Sequence, residues 1–128
     1  MGVTGPGPTS RLRVLFVSDT HLGFDLPLRR CGGVERRRRG PDFFACFERA
    51  LEPALRGEVD VVVHGGDLLY RSRVPAWLVR RALEPLARVA ASGVPVLVVP
   101  GNHERSAIPF PLLAVQERLH VFHRPSTV

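Results

Sequence analysis

Three short polar clusters hold the residues able to do chemistry: Ser18-Asp19-Thr20-His21, then Gly65-Gly66-Asp67, then Gly101-Asn102-His103-Glu104. Asp19 and His21 flank a single residue. In an extended turn residues two apart project to the same side, so a carboxylate and an imidazole can grip one cation together. Gly65 and Gly66 allow close backbone approach ahead of Asp67, and Gly101 does the same ahead of Asn102. Carboxylate, imidazole and amide oxygen form a mixed hard and borderline donor set, which suits manganese, iron, zinc or magnesium and is unlike a thiolate zinc site. Two cations set ~3.5 to 4 Å apart need a shared ligand, and Asp67, from the middle cluster, is the natural bridging carboxylate.

The elements that must bring these clusters together read as a parallel sheet. Arg13 to Val17, Asp60 to Val63 and Val94 to Val99 each run into one cluster and are nearly continuous aliphatic segments, the pattern of strands covered on both faces. A fourth run spans Leu119 to Phe122. Helical segments between strands indicate βαβ units, so the expected class is α/β, a mostly parallel sheet with flanking helices. The carboxyl ends of such strands share one edge, and the three clusters should converge there.

The first helix is expected to open at Asp42, an N-cap candidate after Pro41, with Phe44, Phe47, Leu51 and Leu55 on its buried face. The second follows Ser72, with Pro75 in its first turn and Leu78, Ala82, Leu86 and Val89 in a stripe that Ser92 and Gly93 end. Trp77 is expected to pack in this core. Pro53 and Pro85 each remove an amide donor, which predicts a kink or early termination at both.

Taken in order, D-x-H, G-G-D and G-N-H-E, each after a buried strand, resemble the calcineurin-like metallophosphoesterase superfamily. The opening Ser18-Asp19-Thr20-His21-Leu22-Gly23 followed by a basic loop is most similar to the SbcD-type DNA repair exonucleases. The resemblance runs from Leu12 to Val128, leaving 1–11 as a flexible tail, and covers the first half of the family's α/β sandwich domain. It implies that Asp19 and His21 bind the first metal, that Asp67 bridges both, and that Asn102 binds the second. It also implies that His103 is not a ligand but addresses the scissile phosphate, orienting it or protonating the leaving oxygen. Attack on phosphorus would be in line, without a covalent enzyme intermediate. Glu104 stands where the family usually has Asp and is read as support for His103 or its loop. The family's further histidines, one isolated and then a G-H-x-H pair, have no counterpart here, so the second metal site is expected to be weak and water-rich. A partner ATPase of the SMC-like type is implied by the resemblance alone.

Other polar residues are read more plainly. His120 and His123 lack the family's spacing and are taken as structural or surface histidines. His64, just before G-G-D, is taken as a core imidazole bonded to a neighbouring carbonyl. Tyr70 and Arg71 are left open between facing substrate and starting a connection.

The 128 residues carry 18 basic and 12 acidic side chains, a net charge of +6, and every basic residue is arginine. Arg29, Arg30, Arg36, Arg37, Arg38 and Arg39 fall within a segment rich in glycine and proline, a basic loop that leaves the first strand straight after His21. Such a loop should overhang the metal edge, where guanidiniums can neutralise a nucleic acid backbone with strong salt dependence and little base preference. Cys31 and Cys46 form no C-x-x-C motif and are expected to be reduced and without function. No apolar run approaches the ~20 residues of a membrane span, and the start of the chain has no secretory signal, so the expected location is the cytoplasm.

These readings converge on a metal-dependent phosphodiesterase, a DNA exonuclease or endonuclease using two divalent ions, manganese first among them. Two alternatives stand beside it: a non-catalytic nucleic-acid-binding fragment, and a phosphatase or cyclic nucleotide phosphodiesterase. With half of its sandwich absent, the sheet near Leu119 to Phe122 should lack cover, which predicts self-association.

Overall fold

The computed structural model describes residues 10–24, 40–101, 116–122 and 124–128. Arg29, Arg30, Arg36, Arg37, Arg38, Arg39, Asn102, His103 and Glu104 lie outside the described residues, as do Cys31, His123 and most of the expected tail. In chain order the elements are β1 (Val14–Val17), α1 (Gly40–Leu55), β2 (Val61–His64), α2 (Ala76–Ala91), β3 (Val96–Val98) and β4 (Leu119–Val121). The four strands form one sheet in the order β1-β2-β3-β4, and every neighbouring pair is parallel. The α/β class and its parallel sheet are thus as the residue pattern requires.

A sheet whose spatial order follows its chain order sends each right-handed crossover over the same face. α1 and α2 accordingly pack against each other, with Glu48 of α1 bonded at 3.3 Å to both Arg81 and Arg88 of α2. Beneath them the register aligns Leu15, Val62, Val96 and Leu119 in one row and Val17, His64, Val98 and Val121 in the next. These residues are buried or packed against the core.

The opposite face corrects the expectation of strands covered on both sides. Val14 and Phe16, alternating with the buried positions of β1, are 49% and 64% exposed. Both helices occupy one side, so the other has no cover among the described residues. On this open face the large exposed apolar side chains include Val14 and Phe16 of β1, whereas in β4 Leu119 and Val121 turn to the other side and are buried.

Three further expectations change. α1 begins at Gly40, which puts Asp42 inside its first turn, where a carboxylate favours the positive end of the helix dipole. Its buried stripe is Phe47, Leu51 and Ala54; Leu55, the last helical residue, is 48% exposed, and Phe44 is half-buried beneath the Arg81 guanidinium. In α2, Pro75 is the cap and not a first-turn residue, its carbonyl accepting from Leu78 at 3.0 Å. Trp77 is 66% exposed. One residue before Leu78, it is turned about 100° off the buried stripe.

Pro53 lies at the end of its helix as expected, whereas Pro85 does not end its own. α1 ends two residues past Pro53, but α2 continues through buried Pro85 to Ala91. Leu78, Val79, Ala82, Leu86 and Val89 bury the full length of α2, and that packing outweighs one missing backbone bond. Ser92 and Gly93 end it as expected: Ser92 bonds the Val89 carbonyl through its hydroxyl, and Gly93 takes a φ of 105°.

Arg13 and Asp60 close the amino end of the β1–β2 pair. The Arg13 amide donates to Asp60 at 2.7 Å, its guanidinium approaches the same carboxylate at 3.2 Å, and the Asp60 amide returns a bond to the Arg13 carbonyl. This pairing holds the Asp60 carboxyl below the usual carboxylate range. Cys46 is exposed and free, and no helix among the described residues is long and apolar enough to cross a membrane.

Candidate metal centre at the carboxyl edge of the sheet

The β1–β2 ladder ends at the pair Val17 and His64 and resumes at an isolated parallel bridge between Leu22 and Leu69. Between these points lie residues 18–21 and 65–68, two peptide corners that run side by side. Asp19 donates its amide to the Gly66 carbonyl at 2.9 Å, His21 to Asp67 at 3.0 Å, and Leu22 to Leu68 at 2.8 Å. The corners are therefore one hydrogen-bonded unit.

Within it Asp19, His21 and Asp67 each offer a ligand atom, and these atoms all lie within 4.8 Å of one another. The His21 Nε2 stands 3.9 Å from an Asp67 oxygen, too far for a direct hydrogen bond. The Ser18 hydroxyl donates to Asp19 at 2.8 Å and orients that carboxylate. Asp19 and His21 are exposed and Asp67 is half-buried, so the group opens to solvent along the sheet edge.

The backbone at all three positions is unusual. Among the described residues four non-glycine residues have left-handed φ, and three of them are Asp19 (54°), His21 (45°) and Asp67 (51°). Aspartate and histidine tolerate this region better than most residues, yet each instance costs of order 1 kcal/mol or more and persists only where the surroundings enforce it.

The third corner meets the other two. Asp19, Gly65, Gly66, Asp67, Val99, Pro100 and Gly101 line one depression of about 410 Å³. Gly101 is so close to the Asp67 carboxylate that a Cβ there would collide with it. Asn102 and His103 follow Gly101 directly in sequence but lie outside the described residues.

His64 is the core imidazole expected from the sequence, but its partners differ. It is wholly buried, and instead of bonding a carbonyl it meets the Thr20 hydroxyl through Nε2 at 3.0 Å and the Gly66 amide through Nδ1 at 3.3 Å. Burial pushes its pKa down to about 4, with the charges of Asp19 and Asp67 pulling the other way. The sequence reading also passed over Thr20 as a functional contributor; its place between the two D-x-H ligands was the available signal. His120 lies on the open sheet face against Phe122, ring centroids 4.4 Å apart, and not with the metal group. Tyr70 packs against Phe24 and carries the Arg71 guanidinium over its ring.

The family model for calcineurin-like phosphoesterases matches residues 12–127, nearly the whole chain. The chain belongs to the calcineurin-like phosphoesterase family. Membership implies divalent metal ions, and the donor set fits them: two carboxylates and an imidazole, with no thiolate in the group. Among curated relatives, it is 40% identical over 92 residues to the DNA double-strand break repair protein Mre11 of Haloferax volcanii, covering 72% of this chain and 19% of that one. It is 35% identical over 96 residues to the protein of the same name from Aeropyrum pernix, covering 75% and 22%. Methanosarcina acetivorans has a third, 37% identical over 94 residues, covering 73% and 14%. The chain thus matches about a fifth or less of the length of these relatives.

Proposed function

We propose that this chain forms the metal-binding edge of a metal-dependent nuclease that hydrolyses DNA phosphodiesters in double-strand break repair. The observation that carries the reading is the group of Asp19, His21 and Asp67, three donors within 4.8 Å at the carboxyl edge of a parallel sheet, each on a left-handed backbone. The shared name of the relatives supports DNA as the substrate and repair as the setting.

In this reading Asp19 and His21 hold the first ion, Asp67 is shared, and Asn102 holds the second, with manganese the preferred metal. When bound, the ions neutralise charge on the phosphoryl oxygens and make water a stronger nucleophile. His103 orients the scissile phosphate or gives a proton to the leaving oxygen. Arg29, Arg30, Arg36, Arg37, Arg38 and Arg39 hold the DNA backbone through phosphate contacts that do not read sequence. A cytoplasmic location and a partner ATPase of the SMC-like type belong to the same reading.

The test is Mn²⁺-dependent cleavage of an activated phosphodiester and of DNA oligonucleotides. Cleavage abolished by Asp67→Ala and by Asn102→Ala is the expected result. A folded, metal-replete chain that binds DNA in a salt-sensitive way without turnover would refute catalysis and leave a nucleic-acid-binding role.

A further inference from the structure

We propose that His64, acting through Thr20, is the positioning residue of the metal centre, pinning together the two peptide corners that carry Asp19, His21 and Asp67. The proposal rests on the reading of those three residues as metal ligands.

Donor and acceptor roles can be assigned around the ring. The Gly66 N–H is directed at Nδ1 at 3.3 Å and needs a lone pair there, so the ring proton sits on Nε2. Nε2 faces the Thr20 oxygen at 3.0 Å and donates to it. Thr20 passes its own hydroxyl proton to the Leu68 carbonyl, also at 3.0 Å. The result is a hydrogen-bond chain of one direction, from the Gly66 amide through His64 and Thr20 to Leu68.

Its end points explain its use. Gly66 and Leu68 flank Asp67 on either side, and Thr20 is the residue between Asp19 and His21. One buried ring thus clamps the backbone around all three ligands. The ligands need such a clamp because their left-handed backbones would otherwise relax. The main-chain bonds between the corners set their spacing, but only the side-chain link joins the middle of one corner to both flanks of the other. His64 is itself fixed by its place on the last rung of β2, opposite Val17, and by the Phe47 ring packed edge-on at 6.1 Å.

The experiment is Mn²⁺ titration of the full chain, following the free ion by electron paramagnetic resonance, with a thermal melt of each metal-free variant to establish folding. His64→Ala and Thr20→Val should each weaken Mn²⁺ binding about 10- to 100-fold, the range for residues that orient metal ligands. The double variant should lose little more than the weaker single one, because both remove one link. Thr20→Ser keeps the hydroxyl and should stay within about threefold of the parent. Nitrogen-15 resonances of the His64 ring in the unsubstituted chain should show an Nε2–H tautomer.

Thr20→Val with unchanged affinity, additive losses, or an Nδ1–H ring would each overturn the proposal. Should His64→Ala not fold, the Thr20 pair and the ring resonances still decide. Asp67→Ala separates the two readings: if it leaves Mn²⁺ binding intact the ligand assignment fails, and if it abolishes binding while Thr20→Val leaves the affinity unchanged, the positioning role fails.

Discussion

Gly101 abuts the carboxylate of Asp67, with no room for a methyl group between them. The two residues are 34 positions apart, on corners that follow β3 and β2, and their contact is where the third polar cluster joins the first two. A side chain at residue 101 must displace the carboxylate, the backbone, or both. Gly101→Ala should therefore lower Mn²⁺ affinity about 10-fold or more, with a smaller effect on the metal-free melting temperature. Calorimetric titration checks this; unchanged affinity would mean that Asp67 is not held in place by that corner.

The buried His64 makes stability depend on pH in a defined direction. Its pKa in the folded chain lies near 4, below its ordinary value of 6.5. Between those values the unfolded chain takes up a proton that the folded chain refuses. Stability is then full above about pH 6.5 and falls as the pH drops toward 4, by up to roughly 3 kcal/mol. Denaturant melts of the metal-free chain from pH 7.5 to 4 should show this loss, and His64→Gln, which has no titrating ring, should flatten it.

The run Arg36 to Arg39 offers a test that separates substrate binding from chemistry. Replacing all four by serine should weaken DNA binding and reduce the slope of log affinity against log salt by up to about 3 to 4, while cleavage of a small activated phosphodiester stays within about twofold. Fluorescence anisotropy across a salt series reads the first effect, and a colorimetric assay the second. An unchanged salt slope would remove the run from the DNA interface.

Leu86 and Trp77 lie on the same helix with opposite burial, the first fully buried and the second two-thirds exposed. Leu86→Ala should destabilise the fold by about 2 to 5 kcal/mol through the lost apolar contacts and the cavity left behind. Trp77→Ala should change stability by about 0.5 kcal/mol or less. Urea unfolding of the two variants checks the contrast, and a large loss at Trp77 would restore it to the core.

Much of the scaffold was legible in the chain. Aliphatic runs of strand length ending in Ser18-Asp19-Thr20-His21, Gly65-Gly66-Asp67 and Gly101 determine three parallel strands whose described corners share one edge, because both signals are local. The stripe of Leu78, Ala82, Leu86 and Val89 likewise marks α2 and its buried side. Trp77 and Leu55 misled, since a large apolar side chain near a helix end does not reveal on which side of the stripe it falls. Pro85 did not end α2, because the packing that carries a helix past a proline comes from other elements.

The residue order alone thus determined that Asp19, His21 and Asp67 reach the sheet edge. Only the folded chain decided how they are held there. Thr20 and His64 are 44 positions apart and meet because the register sets Val17 opposite His64. The left-handed backbones of Asp19, His21 and Asp67 follow from bonds between two corners that are far apart along the chain. So does the uncovered face at Val14 and Phe16, which depends on the order of the strands and the side on which both helices cross. Register, strand order and crossover side are relations between distant segments, and no local run of residues encodes them.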